Sequence, residues 1–315
     1  MATNEFIFLM VGLFSLWLGA SLTVKGMENL AGLFRVSGLF IGLTVASIGT
    51  SIPEIAVSVT GALDRLGGLE TSGLVIGDII GSALNQITLL LGIVALFGIL
   101  KISKRQWQRE GTMLLTAVAL VFLVLLDGKV TKLEGFLMII VYTLYFYNLV
   151  REEKKYAKVQ RRPAIHTFWD ISSLIGGILL VIYSSNIVVL NGEILAHTIG
   201  VSDALIGIFI IGLGTGLPEL AISLYAIKKK DYGISVGNLV GSNITDLLLS
   251  FGAGAAISGF IVDPEFISID MPALFIFTIL MLFLFRTRFR LSKREGIILI
   301  AAFATYAAVK LLLLA

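Results

Sequence analysis

The sequence predicts an all-α integral membrane protein: ten transmembrane helices arranged as two inverted five-helix repeats with discontinuous central helices. Three observations predict it. Hydrophobic residues make up 57% of the 315-residue chain and charged residues 14%, with a mean hydropathy of +0.96, which is a membrane composition rather than a soluble one. Apolar runs long enough to cross a bilayer recur along the whole length. One motif, Gly49-Thr50-Ser51-Ile52-Pro53-Glu54, returns as Gly214-Thr215-Gly216-Leu217-Pro218-Glu219.

Taken in order, the apolar runs place spans at about 5–31, 37–62, 71–98, 112–126, 133–150, 169–197, 204–227, 233–258, 271–286 and 296–314. The first has neither a basic n-region nor an A-x-A cleavage site, so it is expected to be retained as a span. The span at 112–126 is the shortest. The longest polar connection runs only from Arg151 to Thr167, too little for a folded soluble domain. The expected division is a first five-helix repeat at 1–150, a cytoplasmic linker at 151–168 and a second, inverted repeat at 169–315.

Charge sets the orientation. With the N-terminus outside, 20 of the 24 Lys and Arg fall on the inner face, leaving only Arg65, Lys129, Lys132 and Lys310 outside. The positive-inside rule then puts both termini outside the cell membrane. The basic run Arg151–Arg162 reads as an ordinary juxtamembrane cluster, so no nucleic-acid partner is expected. Cysteine is absent, which excludes disulfides and thiolate metal sites. His166 and His197 are too few for a histidine metal centre.

The repeat carries the architecture. At an offset of 165, Ile41–Ser58 aligns with Ile206–Ser223; at an offset of 160, Gly77-Asp78-Ile79-Ile80-Gly81-Ser82 aligns with Gly237-Asn238-Leu239-Val240-Gly241-Ser242. Five spans per half is an odd number, so the second half enters the membrane upside down. Inverted repeats with broken helices in matching positions are a signature of secondary transporters.

Each motif copy puts a proline and a carboxylate inside an apolar span. Pro53 offers no N–H to the Gly49 carbonyl and its ring collides with it; Pro218 does the same to Gly214, so each helix kinks or unwinds. A lone charge at this depth costs roughly 2.5–3.5 kcal/mol. Freed carbonyls persist there only against buried protein or a wet cavity. No Lys or Arg lies in the four central spans, so the counter-charge of Glu54 and Glu219 is expected to be a hard cation. Asp78, Ser82 and Gln86 form one polar stripe at helical spacing, and Asn238, Ser242 and Asp246 form its mate. Ser47, Thr50 and Ser51 share a face with Glu54. Glycines 77, 81, 237 and 241 allow close approach of a neighbouring backbone. Asp246 pairs by symmetry with the uncharged Gln86, so it is expected to carry a proton when the site is loaded.

These paired patterns resemble the alpha repeats of the cation/calcium exchanger superfamily, and most of all its compact prokaryotic sodium/calcium exchangers. The resemblance covers the whole chain in topology and is specific over roughly residues 40–90 and 205–250. It implies a ten-helix antiporter exchanging Na⁺ for Ca²⁺ by alternating access, not an enzyme, with no cofactor beyond the transported ions. It implies a central Ca²⁺/Na⁺ site at Glu54 and Glu219 with Thr50 and Thr215. Flanking Na⁺ ligands would be Ser51, Ser82 and Ser242, with backbone carbonyls near Ser47 and Gly212. The sequence departs from the pattern at Gly216, where symmetry with Ser51 expects serine, at Asp78 in place of asparagine, and at Gln86, with Asn85 beside it.

Cation physics agrees. Ca²⁺ takes about 6–8 oxygens in irregular cages, whereas Mg²⁺ holds its water and demands an octahedron. Two glutamates balance one Ca²⁺, and Na⁺, similar in size, can use the same oxygens. An H⁺-coupled or K⁺-dependent exchanger of the same fold is the alternative, although the H⁺-coupled branch carries a glutamate where this chain has Gly81 and Gly241. An intramembrane aspartyl protease would need G-x-G-D, and position 75 is valine. No metalloprotease, hydrolase-elbow or P-loop motif is present. The partners expected are Ca²⁺, Na⁺ and the lipid bilayer, with no obligate protein. The helices at 5–31 and 169–197 are expected to slide as gates, hinged at Gly26, Gly32 and Gly200.

Overall fold

A computed structural model describes residues 2–154, 164–198, 214 and 216–314. Gly212 and Thr215 of the expected site, and the proposed hinge Gly200, lie outside the described residues. So does the first part of the span expected at 204–227. Among the described residues eight helices are long and apolar enough to cross a membrane, and a ninth such unit is a pair of helices bent by 44°.

Helix α1 spans Ala2–Phe34, and the chain turns at Arg35, whose φ is 51°. The bent pair follows as α2, Gly38–Thr50, and α3, Ile52–Leu66. Ser37 starts it by accepting the Phe40 N–H on its hydroxyl at 3.1 Å. Helix α4 covers Ser72–Phe97, α5 Lys104–Leu125 and α6 Lys132–Lys154. After the undescribed 155–163 come α7, Ala164–Thr198, α8, Leu217–Lys228, α9, Tyr232–Ser258, and α10, Phe266–Arg286. Helix α11, Lys293–Leu314, closes the order.

The span expected at 112–126 instead begins at Lys104. Ser103 and Gln106 form a reciprocal capping box at 3.2 and 2.8 Å that starts the helix in its charged stretch. Glu110, only 5% exposed, is held by Arg109 at 2.5 Å and by the Tyr145 hydroxyl at 2.5 Å. Paired and hydrogen-bonded charge is what allows polar turns to continue a span. Helices α6 and α7 likewise extend into the stretch expected as a 151–168 linker.

Two helices match at the sequence offset. Helices α4 and α9 each contain one wide π turn, at Gln86–Leu90 and Asp246–Ser250, in register at the sequence offset of 160. Two short ribbons tie the halves together: β1 (Leu100–Lys101) pairs with β4 (Arg290–Leu291), and β2 (Lys129–Val130) pairs with β3 (Phe260–Ile261).

The large core joins α4, α5, α6, α9, α10 and α11 through residues such as Ile79, Leu90, Val118, Leu247, Phe251 and Phe285. A separate cluster with Ala20, Val24, Leu174, Val181 and Ile222 joins α1, α7 and α8. Helices α1 and α7 pack backbone to backbone. A Cβ added at Gly19 would lie 2.9 Å from the Val181 nitrogen, and one at Gly26 would lie 2.9 Å from the Leu174 nitrogen. Gly26 is therefore a packing residue and not a hinge, and α1 runs unbroken through Gly26 and Gly32. The glycine expectation holds for α9, where a Cβ at Gly237 would meet the Leu39 carbonyl at 2.6 Å and one at Gly241 the Leu43 Cα at 2.9 Å. Gly77 has only Phe266 near, at 3.6 Å; the segment that symmetry sets against it is outside the described residues.

Candidate cation site

The site begins at the breaks. Ser51 has φ −80° and ψ 3°, and Gly216 has φ −89° and ψ 4°, so both helices interrupt at the same motif position with the same backbone turn. Pro53 and Pro218 then stand in the first turn of α3 and α8, where a missing N–H costs nothing. Glu54 and Glu219 occupy the same first turns, at the positive end of the new helix dipole. They are 2% and 0% exposed.

No ion pair reaches Glu54, Glu219, Asp78 or Asp246 among the described residues. Glu54 Oε2 and both carboxylate oxygens of Glu219 have no hydrogen-bond partner there. The Thr50 and Ser242 hydroxyls lie beside Glu219 without closing a hydrogen bond to it. Glu54 stands within electrostatic range of Asp246, Glu219 and Asp78. Even so, no three of the described acids and histidines converge as a ready metal cage. The remaining oxygens for a cation are hydroxyls and carbonyls.

Those oxygens sit between α2 and α9. Thr50 Oγ1 lies 3.2 Å from Ser242 Oγ and donates to the Ala46 carbonyl at 3.1 Å. Ser47 Oγ donates to the Leu43 carbonyl at 2.7 Å, while its own carbonyl accepts the Ser51 N–H at 3.0 Å. Ser51 Oγ is fully buried and unpartnered, beside Asp246. Asn238 donates to the Glu219 carbonyl at 3.0 Å and to Ser223 Oγ at 3.0 Å.

The π turns set Gln86 and Asp246 at the centre, consistent with the tendency of such bulges to mark functional positions. Gln86 Nε2 donates to Ser82 Oγ at 2.9 Å and to Asp246 Oδ2 at 3.1 Å, and Gln86 Oε1 accepts from Asn243 Nδ2 at 2.8 Å. Asp246 Oδ1 accepts from Ser250 Oγ at 3.4 Å. Asp78 stands apart from this network. It lines a cavity of about 210 Å³ with Pro53, Glu54, Ser185, Asn186 and Pro218.

The structure thus brings Thr50, Ser51, Glu54, Ser82, Gln86, Glu219, Ser242 and Asp246 into one buried polar layer, with Ser47 behind it and Asp78 at the cavity. Sequence reasoning missed four contributors. Ser250 extends the Ser242–Asp246 stripe by one more helical step, and that spacing was a usable signal. Ser185 and Asn186 are polar residues in the middle of an apolar span, another usable signal. Asn243 lies off the stripe, and its signal was its place in the run Gly241-Ser242-Asn243 between Asn238 and Asp246.

Comparison with known proteins agrees with this geometry. The family profile described as sodium/calcium exchanger protein matches residues 4–151 and 169–312. A provisionally named antiporter of Alkalimonas amylolytica is 33% identical over 313 residues, covering 95% of this chain and 96% of its own. A sodium/calcium exchanger of Methanosarcina acetivorans is 25% identical over 348 residues, covering 97% and 98%. A solved structure of the sodium-calcium exchanger NCX_Mj superposes with a TM-score of 0.84 at 27% identity, covering 98% of this chain and 99% of that one. With its matched breaks, its buried unpaired glutamates and a family match across both halves, this multi-pass membrane chain belongs to the sodium/calcium exchanger family.

Proposed function

We propose that the chain is a secondary antiporter that exchanges Na⁺ for Ca²⁺ across the cell membrane. The observation that carries this reading is the pair Glu54 and Glu219: buried at equivalent helix breaks, and with no cationic partner among the described residues. Two buried carboxylates without a counter-charge are costly, and one Ca²⁺ neutralises both. Thr50 and Thr215 complete the central site, and Ser51, Ser82, Ser242, Asp246 and the carbonyls near Ser47 and Gly212 supply flanking oxygens. Gln86 and Asp78 tune the site without ligating first.

The architecture behind it is ten helices in two inverted repeats, at 1–150 and 169–315, with both termini outside. The matched π turns, the matched breaks and the two inter-half ribbons support this arrangement. The cavity reaching Glu54 and Pro218 from α7 supports alternating access. The test is ⁴⁵Ca²⁺ uptake into proteoliposomes under an outward Na⁺ gradient against an outward H⁺ gradient. Uptake driven by Na⁺ alone is expected; uptake driven only by H⁺ overturns the reading.

A further inference from the structure

At the membrane end that carries most of the Lys and Arg, a cavity of about 550 Å³ opens between α1, α4 and α8, lined by Trp17, Phe97, Leu224, Lys228, Lys230 and Tyr232. None of these residues belongs to the polar layer around Glu54 and Glu219. The walls are apolar and face outward: Phe97, at the end of α4, is 71% exposed and Trp17 is 41% exposed. The mouth is basic. Lys228 Nζ stands 4.5 Å over the Trp17 ring, and Lys101 Nζ stands 5.8 Å over the Tyr232 ring. An aromatic face attracts a cation without cancelling its charge.

Among the described residues no carboxylate lines this cavity, and none forms an ion pair with Lys101, Lys228 or Lys230. The acids nearest in the chain are engaged elsewhere. Asp231 caps α9 by accepting the Ile234 N–H at 3.0 Å, and Glu28 lies within electrostatic range of Lys229. The undescribed residues 155–163 contain neither Asp nor Glu. Lys230 adds a backbone argument. It follows the end of α8 with φ 64°, and its N–H donates to the Ile227 carbonyl at 2.9 Å. Glycine takes this left-handed turn without strain; a lysine there accepts the strain and places an ammonium at the cavity.

We propose that this cavity binds an anionic phospholipid, with its phosphate among Lys101, Lys228 and Lys230 and an acyl chain against Trp17, Phe97 and Leu224. The charge pattern selects the occupant. Apolar walls alone would take any lipid, but a zwitterionic headgroup brings a second cation among three lysines with no carboxylate to receive it. A headgroup such as phosphatidylglycerol brings only the phosphate. Basic pockets between transmembrane helices hold anionic headgroups by this chemistry, and each lysine near the headgroup contributes about fivefold. The inference does not depend on which ions the protein exchanges.

The chain has three tryptophans, so Trp107→Phe with Trp169→Phe leaves Trp17 as the sole fluorophore, at the cavity. This full-length protein is reconstituted in phosphatidylcholine vesicles, and brominated phosphatidylglycerol or brominated phosphatidylcholine is titrated in. The brominated phosphatidylglycerol is expected to half-quench Trp17 at a mole fraction lower by about fivefold or more. Lys228→Gln with Lys230→Gln is expected to bring the two lipids level. Lys104→Gln with Arg151→Gln, which removes the same charge from α5 and α6, is expected to keep the preference. Equal quenching by the two lipids overturns the inference, and so does an equal loss of preference in both charge variants, the mark of a diffuse surface field. A Trp17 that neither lipid quenches means that protein covers the cavity, which also overturns it. Where the tryptophan variant fails to fold, native mass spectrometry of the full-length protein counts bound phosphatidylglycerol against phosphatidylcholine. Undiminished phosphatidylglycerol on the Lys228→Gln, Lys230→Gln protein then overturns the inference.

Discussion

Asn238 donates its amide hydrogens to the Glu219 carbonyl and to Ser223 Oγ, both at 3.0 Å, so one side chain braces the first turn of the helix that starts at the second break. Its symmetry mate is Asp78, and an ionised carboxylate only accepts. Ser58, the mate of Ser223, accordingly has no partner among the described residues. Asn238→Ala is expected to unpair two buried groups at about 1–3 kcal/mol each, lowering the melting temperature. Asp78→Asn is expected to supply the missing donor and stabilise by about 0.5–1.5 kcal/mol. Thermal melts in detergent without Ca²⁺ check both, and an unchanged melt for Asp78→Asn removes the bracing account.

Glu54 and Glu219 are expected to carry the transported Ca²⁺. Glu54→Gln or Glu219→Gln is expected to weaken Ca²⁺ binding about 10–100-fold, the worth of a hydrogen bond or ligand bond to a charged group, and to bring ⁴⁵Ca²⁺ uptake to background. Stability is expected to hold or rise, because the change removes a buried charge with no partner. Robust exchange by the double Gln variant would end the proposal.

Much of this was legible in the sequence because it rests on covalent facts. Pro53 and Pro218 break their helices wherever they stand, and Glu54 and Glu219 are too costly at that depth to be incidental. The offset of 160 relates the in-register π turns, and the offset of 165 relates the matched breaks at Ser51 and Gly216. What was not legible depended on three-dimensional pairing. The start of α5 at Lys104 rests on Arg109, Glu110 and Tyr145 meeting across two helices, and hydropathy sees only the charges. Gly26 has the sequence look of a hinge, and only the backbone of α7 against it makes it a packing residue. Gly216 was visible as a lost hydroxyl; that Leu90 packs there was not, since the two are distant in sequence.

Asp246→Asn separates the Na⁺ role from the Ca²⁺ role. Gln86 Nε2 requires an acceptor at Asp246 Oδ2, so an asparagine there must turn its oxygen toward Gln86 and its NH₂ toward Ser51 and Ser250. Ca²⁺ binding is expected to survive, as the symmetry with Gln86 suggests, while the Na⁺ needed for half-displacement rises about tenfold, or roughly 1.4 kcal/mol. Equilibrium ⁴⁵Ca²⁺ binding with NaCl competition reads both. Loss of Ca²⁺ as complete as in Glu219→Gln would make Asp246 a charged Ca²⁺ ligand and end the separation.

Helices α1 and α7 pack closely on one another and share an apolar cluster with α2, α8 and α9, and the two are expected to move as a unit against the rest of the protein. Within the unit, Gly19, Gly26 and Gly177 bring the backbones together, so sliding between α1 and α7 would meet steric resistance at every turn. Between unit and core the contact is narrower. Gly214, at the entry to the second break, lies against Val189, and both line the cavity that reaches Glu54. A Cβ at Gly214 would stand 3.3 Å from Val189 Cβ, close to the roughly 3.5–4.5 Å of a disulfide. The pair Gly214→Cys, Val189→Cys is therefore expected to stop Na⁺-driven ⁴⁵Ca²⁺ flux when oxidised and to restore it on reduction. Full exchange by the oxidised Gly214–Val189 pair, with crosslinking verified by mass, would mean that α7 does not move relative to the break.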